Sequence, residues 1–431
     1  MSRYRWTILA VGVGAQTSIS AVRQGLPSIG PALRSEFGLS LTQLGVVFAS
    51  VTLGIVLTLI AWGALADRIG ERPVITVGLS GAGAALAGAA LAPGFGWLVA
   101  ALVLAGMFGA SATGATGRAV MGWFDRSQRG FALGIRQTGV PLGGGLAAVT
   151  LPLVAATWGL EAALGGLGAG CLIAAAVAWR WMRDPAPSAP RAGRARPRVA
   201  PLRDARLWRL AAGSGLLVLA QGGILGFIVI FLHDERGWHP ATAAVALAAL
   251  QVGGAVARVV AGRWSDRRQE RVAPVRWLGL ASAALLLIAA LLSAAPTSVL
   301  LPVLLAAGVL AMSWNGLSFT AAAEMSGRDR AGTSIGVQNT VLSAAGVLAP
   351  IGFAAVVTAT SWPAAWVLLT ISQLAGVLVL GPLVGEERAR RAAREERMAA
   401  RDTDPAPSQH PSPRRASCHP SAPSSQRAAR T

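Results

Sequence analysis

The sequence predicts an all-α membrane protein with twelve transmembrane helices in two pseudo-symmetric six-helix bundles. Three observations lead to this fold class. The 431 residues are 53% hydrophobic and only 13% charged. The apolar residues occur in blocks long enough to cross a bilayer, and the second half of the chain repeats the first. A soluble domain of this size could not bury so much apolar surface.

Twelve apolar blocks are the predicted spans. Each has about 20 residues or more, which at about 1.5 Å per residue covers roughly 30 Å of hydrocarbon. They lie at approximately 6–30, 42–65, 74–92, 97–118, 130–153, 160–182, 207–232, 241–262, 275–295, 298–322, 332–357 and 362–384. The first block resembles a signal sequence, but it is too long and lacks a small-residue cleavage site, so we interpret it as span 1.

An internal repeat relates the two halves of the chain. GALADRIGER at 63–72 and GRWSDRRQER at 262–271 lie 199 positions apart, each after a long apolar block. Residues 130–138 likewise align with 332–340. Spans 1–6 and 7–12 are therefore predicted to be parallel copies.

The repeat and the composition between its copies predict four regions. They are an N-terminal bundle at 1–182, a flexible cytoplasmic linker at 183–206, a C-terminal bundle at 207–385 and a charged tail at 386–431. Within the tail, 386–401 is predicted to form a surface helix and 402–431 to be disordered.

The distribution of charge predicts the orientation in the membrane. All 38 basic residues are arginine, and nearly all lie on one side of the predicted spans. The exceptions are two residues in outer loops and four within spans: Arg34, Arg236, Arg23, Arg118, Arg136 and Arg258. This pattern predicts a multi-pass protein of the cytoplasmic membrane with both termini in the cytoplasm. It favours a tail that faces solvent and lipid head groups over a nucleic-acid partner.

The first decapeptide, G-x-L-A-D-R-x-G-x-R, resembles the loop between spans 2 and 3 of the major facilitator superfamily. The second copy falls between spans 8 and 9, where that family has a degenerate version, and it has Gln269 in place of Gly70. The resemblance covers spans 1–12. It implies a secondary carrier whose halves rock about a central site, with the loops latching the cytoplasmic side. The predicted latch residues are Gly63, Asp67, Arg68, Gly70, Arg72, Asp125, Gly262, Asp266, Arg267 and Arg271.

Each residue type in the first loop has an expected role. Gly63 and Gly70 would permit close backbone approach, and Asp67 would accept hydrogen bonds from helix N-terminal amides. Arg68 and Arg72 would pair with acids such as Asp125 or Glu71. The alternative is a solvated charge run that only sets topology.

Span 5 contains the segment VPLGGG, which approximates the family's G-P-x-x-G-G, a feature of antiporters and exporters. We predict hinge or packing roles for Pro141, Gly143, Gly144 and Gly145. Val140 replaces the first glycine, and the family's arginine near the start of span 4 is missing. The absence of that arginine disfavours a proton-driven drug exporter.

Arginines within the membrane indicate the substrate. An unpaired guanidinium at mid-membrane costs about 2.5–3.5 kcal/mol, so it should face water or a partner. Arg136 and Arg258 are predicted at one depth on the facing spans 5 and 8, where two cations repel unless an anion lies between them. The spacing of Arg258, Gly262 and Asp266 also resembles nitrate/nitrite and monocarboxylate porters, whose span-8 arginine contacts the anion.

Further polar residues are candidates for the same cavity. Gln16, Ser20, Arg23 and Pro27 form a stripe on span 1, and Gln251 shares a face with Arg258. The predicted substrate-site residues are Arg258, Arg136, Arg23, Gln16, Gln137, Gln221, Gln251, Trp314, Asn315, Gln338 and Asn339, with Gln24 as an additional candidate.

Alternative roles remain open for these residues. Glutamine and asparagine often join helices rather than contact substrate. Arg118 and Arg23 could extend to the membrane interface, and Arg136 could bind helix-end carbonyls or Glu324.

These patterns together predict a monomeric secondary active transporter that moves a small anion, either an organic carboxylate or an inorganic oxyanion. No acid lies at mid-span, so coupling would use exchange with a counter-ion or a proton carried with the substrate. The chain has no lysine and hence no P-loop, and we predict no enzymatic activity, metal or cofactor. The alternatives are an exporter of hydrophobic or cationic compounds and a non-transporting receptor or scaffold.

Overall fold

The computed structural model describes residues 4–124, 128–184, 203–326 and 331–403, and within these ranges the chain is helical with no β-strand. Most of the predicted linker, Asp125 and the tail beyond residue 403 lie outside the described residues. Residues Met1–Glu386 form one compact unit and Glu387–Thr431 a second.

The described part of the first half consists of α-helices and a short 3-10 turn that follows α1. The elements are α1 (Tyr4–Gly25), the 3-10 turn (Leu26–Ile29), α2 (Gly30–Phe37), α3 (Leu41–Ile69), α4 (Glu71–Ala90), α5 (Phe95–Trp123), α6 (Arg129–Gln137) and α7 (Gly139–Trp181).

Helices of the second half follow the same order of spans. They are α8 (Ala205–Asp234), α9 (Pro240–Arg268), α10 (Val272–Leu291), α11 (Thr297–Ser313), α12 (Asn315–Ser326), α13 (Ala331–Ala359) and α14 (Trp362–Thr403). The helix predicted over 386–401 is confirmed as the end of α14.

The twelve predicted spans are confirmed. Ten helical segments of the described chain are long and apolar enough to cross a membrane. One of them, Ala132–Trp181, comprises two spans, because Gly159 has φ 86° and ψ 169° and interrupts the helix there. The less apolar α1 supplies the remaining span. Two spans are broken: span 5 between α6 and α7 at Thr138, and span 10 between α11 and α12 at Trp314.

Side-chain caps fix several helix starts. Ser40 accepts a hydrogen bond from the amide of Gln43, and the Gln43 side chain accepts one from the Ser40 amide, which begins α3. Asp204 accepts from the amide of Arg206 at the start of α8. Hydrogen bonds from the Arg206 side chain hold the pKa of Asp204 below its ordinary value.

Glycines allow the helices to pack backbone against backbone. A Cβ atom at Gly106 would lie 2.1 Å from the carbonyl oxygen of Val51, and one at Gly54 would lie 2.0 Å from that of Val103. These two positions join α3 to α5. Close packing through small residues holds helices together where lipid removes the hydrophobic driving force.

The two halves meet at the predicted outer end. Phe48 of α3 and Phe227 of α8 have ring centroids 5.6 Å apart, and a Cβ atom at Gly45 would lie 2.6 Å from the carbonyl oxygen of Pro350. Arg34 forms an ion pair with Asp234 across the halves. Hydrogen bonds between described residues of the two halves are confined to this end and to the pair Gln24 and Gln251.

Substitution Gly106→Ala tests the close packing of α3 on α5. The added methyl group must displace the backbone at Val51, which should cost about 1–3 kcal/mol of stability. We expect a lower melting temperature of the detergent-solubilised protein. Gly88→Ala is the control, because nothing lies within 4 Å of a Cβ atom at that helical glycine. Equal melting temperatures for the two variants would show that the packing does not limit stability.

Candidate functional site

Arg23 and Arg258 lie on α1 and α9, helices of opposite halves that a hydrogen bond between Gln24 and Gln251 joins. Arg23 is exposed, and Arg258 is half-buried. The Nε atom of Arg258 donates to the carbonyl oxygen of Met312 at 2.8 Å. Neither arginine forms a salt bridge within the described part of the chain.

An amide pair bridges the halves next to these arginines. The Nε2 atom of Gln251 on α9 donates to Oε1 of Gln24 on α1 at 2.5 Å. Gln251 is fully buried, and its own Oε1 atom has no hydrogen-bond partner among the described residues. A Cβ atom at Gly144 would lie 2.2 Å from Gln251 Nε2, so the amide lies against the backbone of α7.

Arg136 does not face Arg258, contrary to the prediction. Its side chain is turned into the N-terminal half and is buried. Its Nε atom donates to Thr116 Oγ1 at 2.7 Å, and one terminal nitrogen donates to Gln16 Oε1 at 2.8 Å and to the carbonyl oxygen of Thr113 at 2.7 Å. The other terminal nitrogen donates to Gln137 at 3.1 Å. Polar groups of its own bundle therefore solvate this guanidinium.

The residues of the predicted polar stripe on span 1 lie in two different environments. Gln16 and Ser20 are buried and joined by a hydrogen bond of 3.2 Å. Arg23 lies about two helical turns further along α1, where it meets the other half. The same helix therefore contacts Arg136 through Gln16 at one level and, through Gln24, Gln251 of the other half at another.

The C-terminal half contains a neutral counterpart of the Arg136 cluster. Gln338, the repeat mate of Arg136, donates from Nε2 to Ser318 Oγ at 2.5 Å. Ser318 is in turn 2.7 Å from Ser214 Oγ. The aligned positions in the N-terminal half are Arg136 and Thr116, so the repeat preserves the contact and changes the charge.

Four other predicted residues have separate places in the structure. Asn315 donates to Gln221 Oε1 at 3.1 Å within the C-terminal half. Trp314 is fully buried at the break in span 10, and its Nε1 atom has no hydrogen-bond partner among the described residues. Asn339 is half-buried.

The loop between α3 and α4 uses an acceptor that the sequence did not indicate. The Asp184 carboxylate accepts from the backbone amides of Glu71 at 2.7 Å and Arg72 at 3.0 Å. This is the role predicted for Asp67, whose side chain is outside the described part. The Arg72 side chain donates through Nε to the carbonyl oxygen of Trp179. Its predicted acidic partner Asp125 lies outside the described residues.

Arg118 belongs to this loop rather than to the membrane interface. It donates to the carbonyl oxygen of Gly63 at 3.1 Å and pairs with Glu71 at 3.4 Å. Gly63 and Gly262 both have open space where a Cβ atom would lie, so close approach does not explain either glycine. Arg68 and Arg267 are exposed.

The second loop forms its own ion cluster. Arg271 donates to Asp266 at 2.5 Å, to Glu324 at 3.1 Å and to Ser265 Oγ at 3.0 Å. Glu324 therefore pairs with Arg271 and not with Arg136. Since Glu324 belongs to the same half, the cluster holds span 10 to this loop.

The VPLGGG segment of span 5 packs against two different helices. A Cβ atom at Gly143 would lie 2.3 Å from the carbonyl oxygen of Thr17 on α1, while Gly144 contacts Gln251 on α9. Gly145 lies one residue further and has only ordinary contact with Gln251. Pro141 is half-buried in the first turn of α7, just after the break at Thr138. The segment is thus a packing surface that reaches the other half.

Metal-ligating residues are not clustered in the described ranges, where no group of three or more His, Cys, Asp or Glu side chains could hold an ion.

A family model described as Major Facilitator Superfamily matches residues 13–350. The chain belongs to this superfamily. An uncharacterized MFS-type transporter of Mycobacterium tuberculosis is 34% identical over 374 residues, which cover 86% of this chain and 84% of that protein. A hexuronate transporter of Bacillus subtilis is 28% identical over 133 residues, which cover 31% of this chain and 32% of that protein.

Solved structures of MFS transporters share the fold. A bacterial homologue of the human lysosomal transporter Spinster, inward-facing and unoccupied, matches with a TM-score of 0.73 at 17% identity, over 90% of this chain and 97% of that one. The nucleoside transporter NupG, as a D323A mutant, matches with a TM-score of 0.72 at 13% identity, over 87% and 99% of the two chains. These likenesses establish the architecture of the MFS carrier described above.

Gly70→Ala tests the conformation of the MFS loop between α3 and α4. Gly70 has φ 90° and ψ 168°, and a Cβ atom would lie 2.5 Å from the Asp184 carboxylate. We expect a loss of about 1–3 kcal/mol, measured as a lower melting temperature. Gln269→Ala is the matched control, because Gln269 already adopts a left-handed conformation, φ 53° and ψ 29°, that alanine shares at similar cost. A larger loss in the control than in Gly70→Ala would contradict this assignment.

Proposed function

We propose that this MFS transporter moves small organic carboxylates and that Arg23 and Arg258 bind the carboxylate between the two halves. The observation that carries the proposal is that the Gln24–Gln251 hydrogen bond joins the helices of these two arginines across the halves, while neither arginine has an acidic partner in the described chain. Two like charges at such a site are destabilising on their own and are stabilised by an anion placed between them.

The hydrogen bonds of Arg258 suit this role. Its Nε atom is held by Met312, while its terminal nitrogens make no hydrogen bond to other described residues. A guanidinium fixed in this way presents donors in a rigid fork, which matches the two oxygens of a carboxylate. Arg136 has a different role in the proposal. It stabilises the N-terminal half and contributes positive potential without contacting substrate.

The hexuronate transporter supports the choice of a carboxylate over an inorganic oxyanion. Its name assigns it a substrate that is a sugar carboxylate, and it is similar to about a third of this chain. The arginine pair accounts for the charge of such a substrate in physical terms.

Alternating access would require the contacts at the outer end to open. In our proposal, the halves separate at Arg34 and Asp234 while the loops at 63–72 and 262–271 close the cytoplasmic side. Both termini lie in the cytoplasm in this scheme. Since no acid lies at mid-span, charge balance comes from exchange with another anion or from a proton carried with the substrate.

Arg258→Gln and Arg23→Gln test the anion site. Each variant removes charge-assisted hydrogen bonds of about 1.5–3 kcal/mol, so the KM for carboxylate uptake into proteoliposomes should rise by roughly ten- to hundredfold. Arg276→Gln is the matched control, because Arg276 also donates through Nε to a backbone carbonyl, that of Val377 at 3.0 Å. Unchanged carboxylate uptake in both site variants would rule out the arginine pair, and uptake of hydrophobic cations instead would favour the exporter.

A charge swap at Arg34 and Asp234 tests the outer closure. Arg34→Glu alone places two acids together and should shift the population toward the outward-open state. Because the pair is partly exposed, at 38% and 25%, we expect a modest effect, about 0.2–1 kcal/mol. The readout is labelling of a cysteine introduced at Thr42, which faces Thr358 across the halves. Labelling should rise in Arg34→Glu and return to the original rate when Asp234→Arg is added. Failure of the second substitution to restore the rate would argue against the pair as a closure contact.

A further inference from the structure

We infer that Gln24 and Gln251 form a second subsite that binds a hydroxyl group of the substrate, so that the carrier selects hydroxylated carboxylates over plain fatty acids. This inference rests on the proposed function, because it concerns the same substrate. In this inference, Arg23 and Arg258 bind the carboxylate of the substrate, and Gln24 and Gln251 bind one of its hydroxyl groups.

Gln251 is a buried polar residue with incomplete hydrogen bonding. Its side chain is 0% exposed, and its Oε1 atom has no partner in the described chain. A buried acceptor without a donor is costly, and such groups in folded proteins usually have a partner. In our inference, a substrate hydroxyl supplies this donor, because Gln251 lies where the two halves meet.

The amide pair matches a hydroxyl better than other groups. One hydrogen bond between two amides leaves one carbonyl oxygen and further N–H groups available. A hydroxyl can both donate to the oxygen and accept from an N–H group, whereas a carboxylate cannot donate and a methyl group does neither. An ammonium group could donate, but Arg23 and Arg258 nearby would repel it.

The position of the pair relative to the arginines defines the substrate further. Gln24 follows Arg23 directly, and Gln251 lies seven residues before Arg258, about two turns along α9. The Arg258 side chain leans toward the N-terminus of its helix, which is the direction of Gln251. The Nε atom of Arg258 donates to the carbonyl oxygen of Met312. The Met312 side chain lies against Gly254, one helical turn from Gln251. The hydroxyl group bound here therefore lies several bonds from the carboxylate, as in a sugar acid.

Gly144 keeps the amide of Gln251 in place. A Cβ atom there would lie 2.2 Å from Nε2 and 2.8 Å from the amide carbon of Gln251. The amide is thus enclosed by α1, α7 and α9, and its orientation does not depend on a flexible surface. Such enclosure lets a single hydrogen bond discriminate between substrates.

Competition between two acids of equal chain length tests the subsite. Gluconate carries hydroxyl groups and hexanoate does not, so their binding to the purified full-length protein is compared by thermal stabilisation. We expect the wild type to bind gluconate about tenfold more tightly. Gln251→Met, which preserves the volume of the side chain, should bind both acids equally. Gln24 is the half-buried partner of Gln251. Gln24→Met should have the same effect, and it replaces Gln251→Met in the test if that variant does not fold.

Gln373→Met is the matched control. Gln373 is also fully buried with an unpartnered Oε1 atom among the described residues, but it donates to the Leu217 carbonyl within its own half. The Gln373→Met variant should retain the preference for gluconate over hexanoate. Equal binding of both acids by the wild type, or a preference that survives Gln251→Met and Gln24→Met, would falsify the hydroxyl subsite while leaving the carboxylate proposal intact. Binding of neither acid would overturn the proposed function itself.

Discussion

Positive charge inside the hydrocarbon region is the constraint on which the rest of this structure depends. A guanidinium in a span needs acceptors or water, because lipid supplies neither. Arg136 obtains its acceptors from Gln16, Thr113 and Thr116 inside one half. Arg23 and Arg258 have no acidic partner in the described chain. Arg136 is therefore solvated within one bundle, and we propose that an anion meets the same need of the other two.

Aligned positions of the two halves show which polar contacts differ between the copies. Gln338 and Ser318 keep the contact that Arg136 and Thr116 make, without the charge. The loops at 63–72 and 262–271 diverged in a similar way: Gly70 adopts a conformation suited to glycine, whereas Gln269 at the aligned position adopts a left-handed one that other residues tolerate. Each half retains the common scaffold and varies the polar groups that it encloses.

The fold was predictable because few structures can span a bilayer, and apolar blocks of one length indicate helices. The internal repeat then indicates two bundles of six helices. The depth of Arg136 and Arg258 followed from helical rise, but their partners did not. Side-chain direction depends on how each helix is rotated against its neighbours, and that is set by contacts such as Gly143 on α1. Asp184 was missed since its role depends on the linker meeting a loop more than 100 residues earlier in the chain.

The interrupted spans have a mechanical consequence. A helix yields most readily where its ladder of backbone hydrogen bonds is broken. The first half is interrupted in span 5, at Thr138, and the second in span 10, at Trp314, while the aligned helices α13 and α5 are continuous. If the two copies bend at these interruptions during transport, they would bend at non-equivalent points of the repeat.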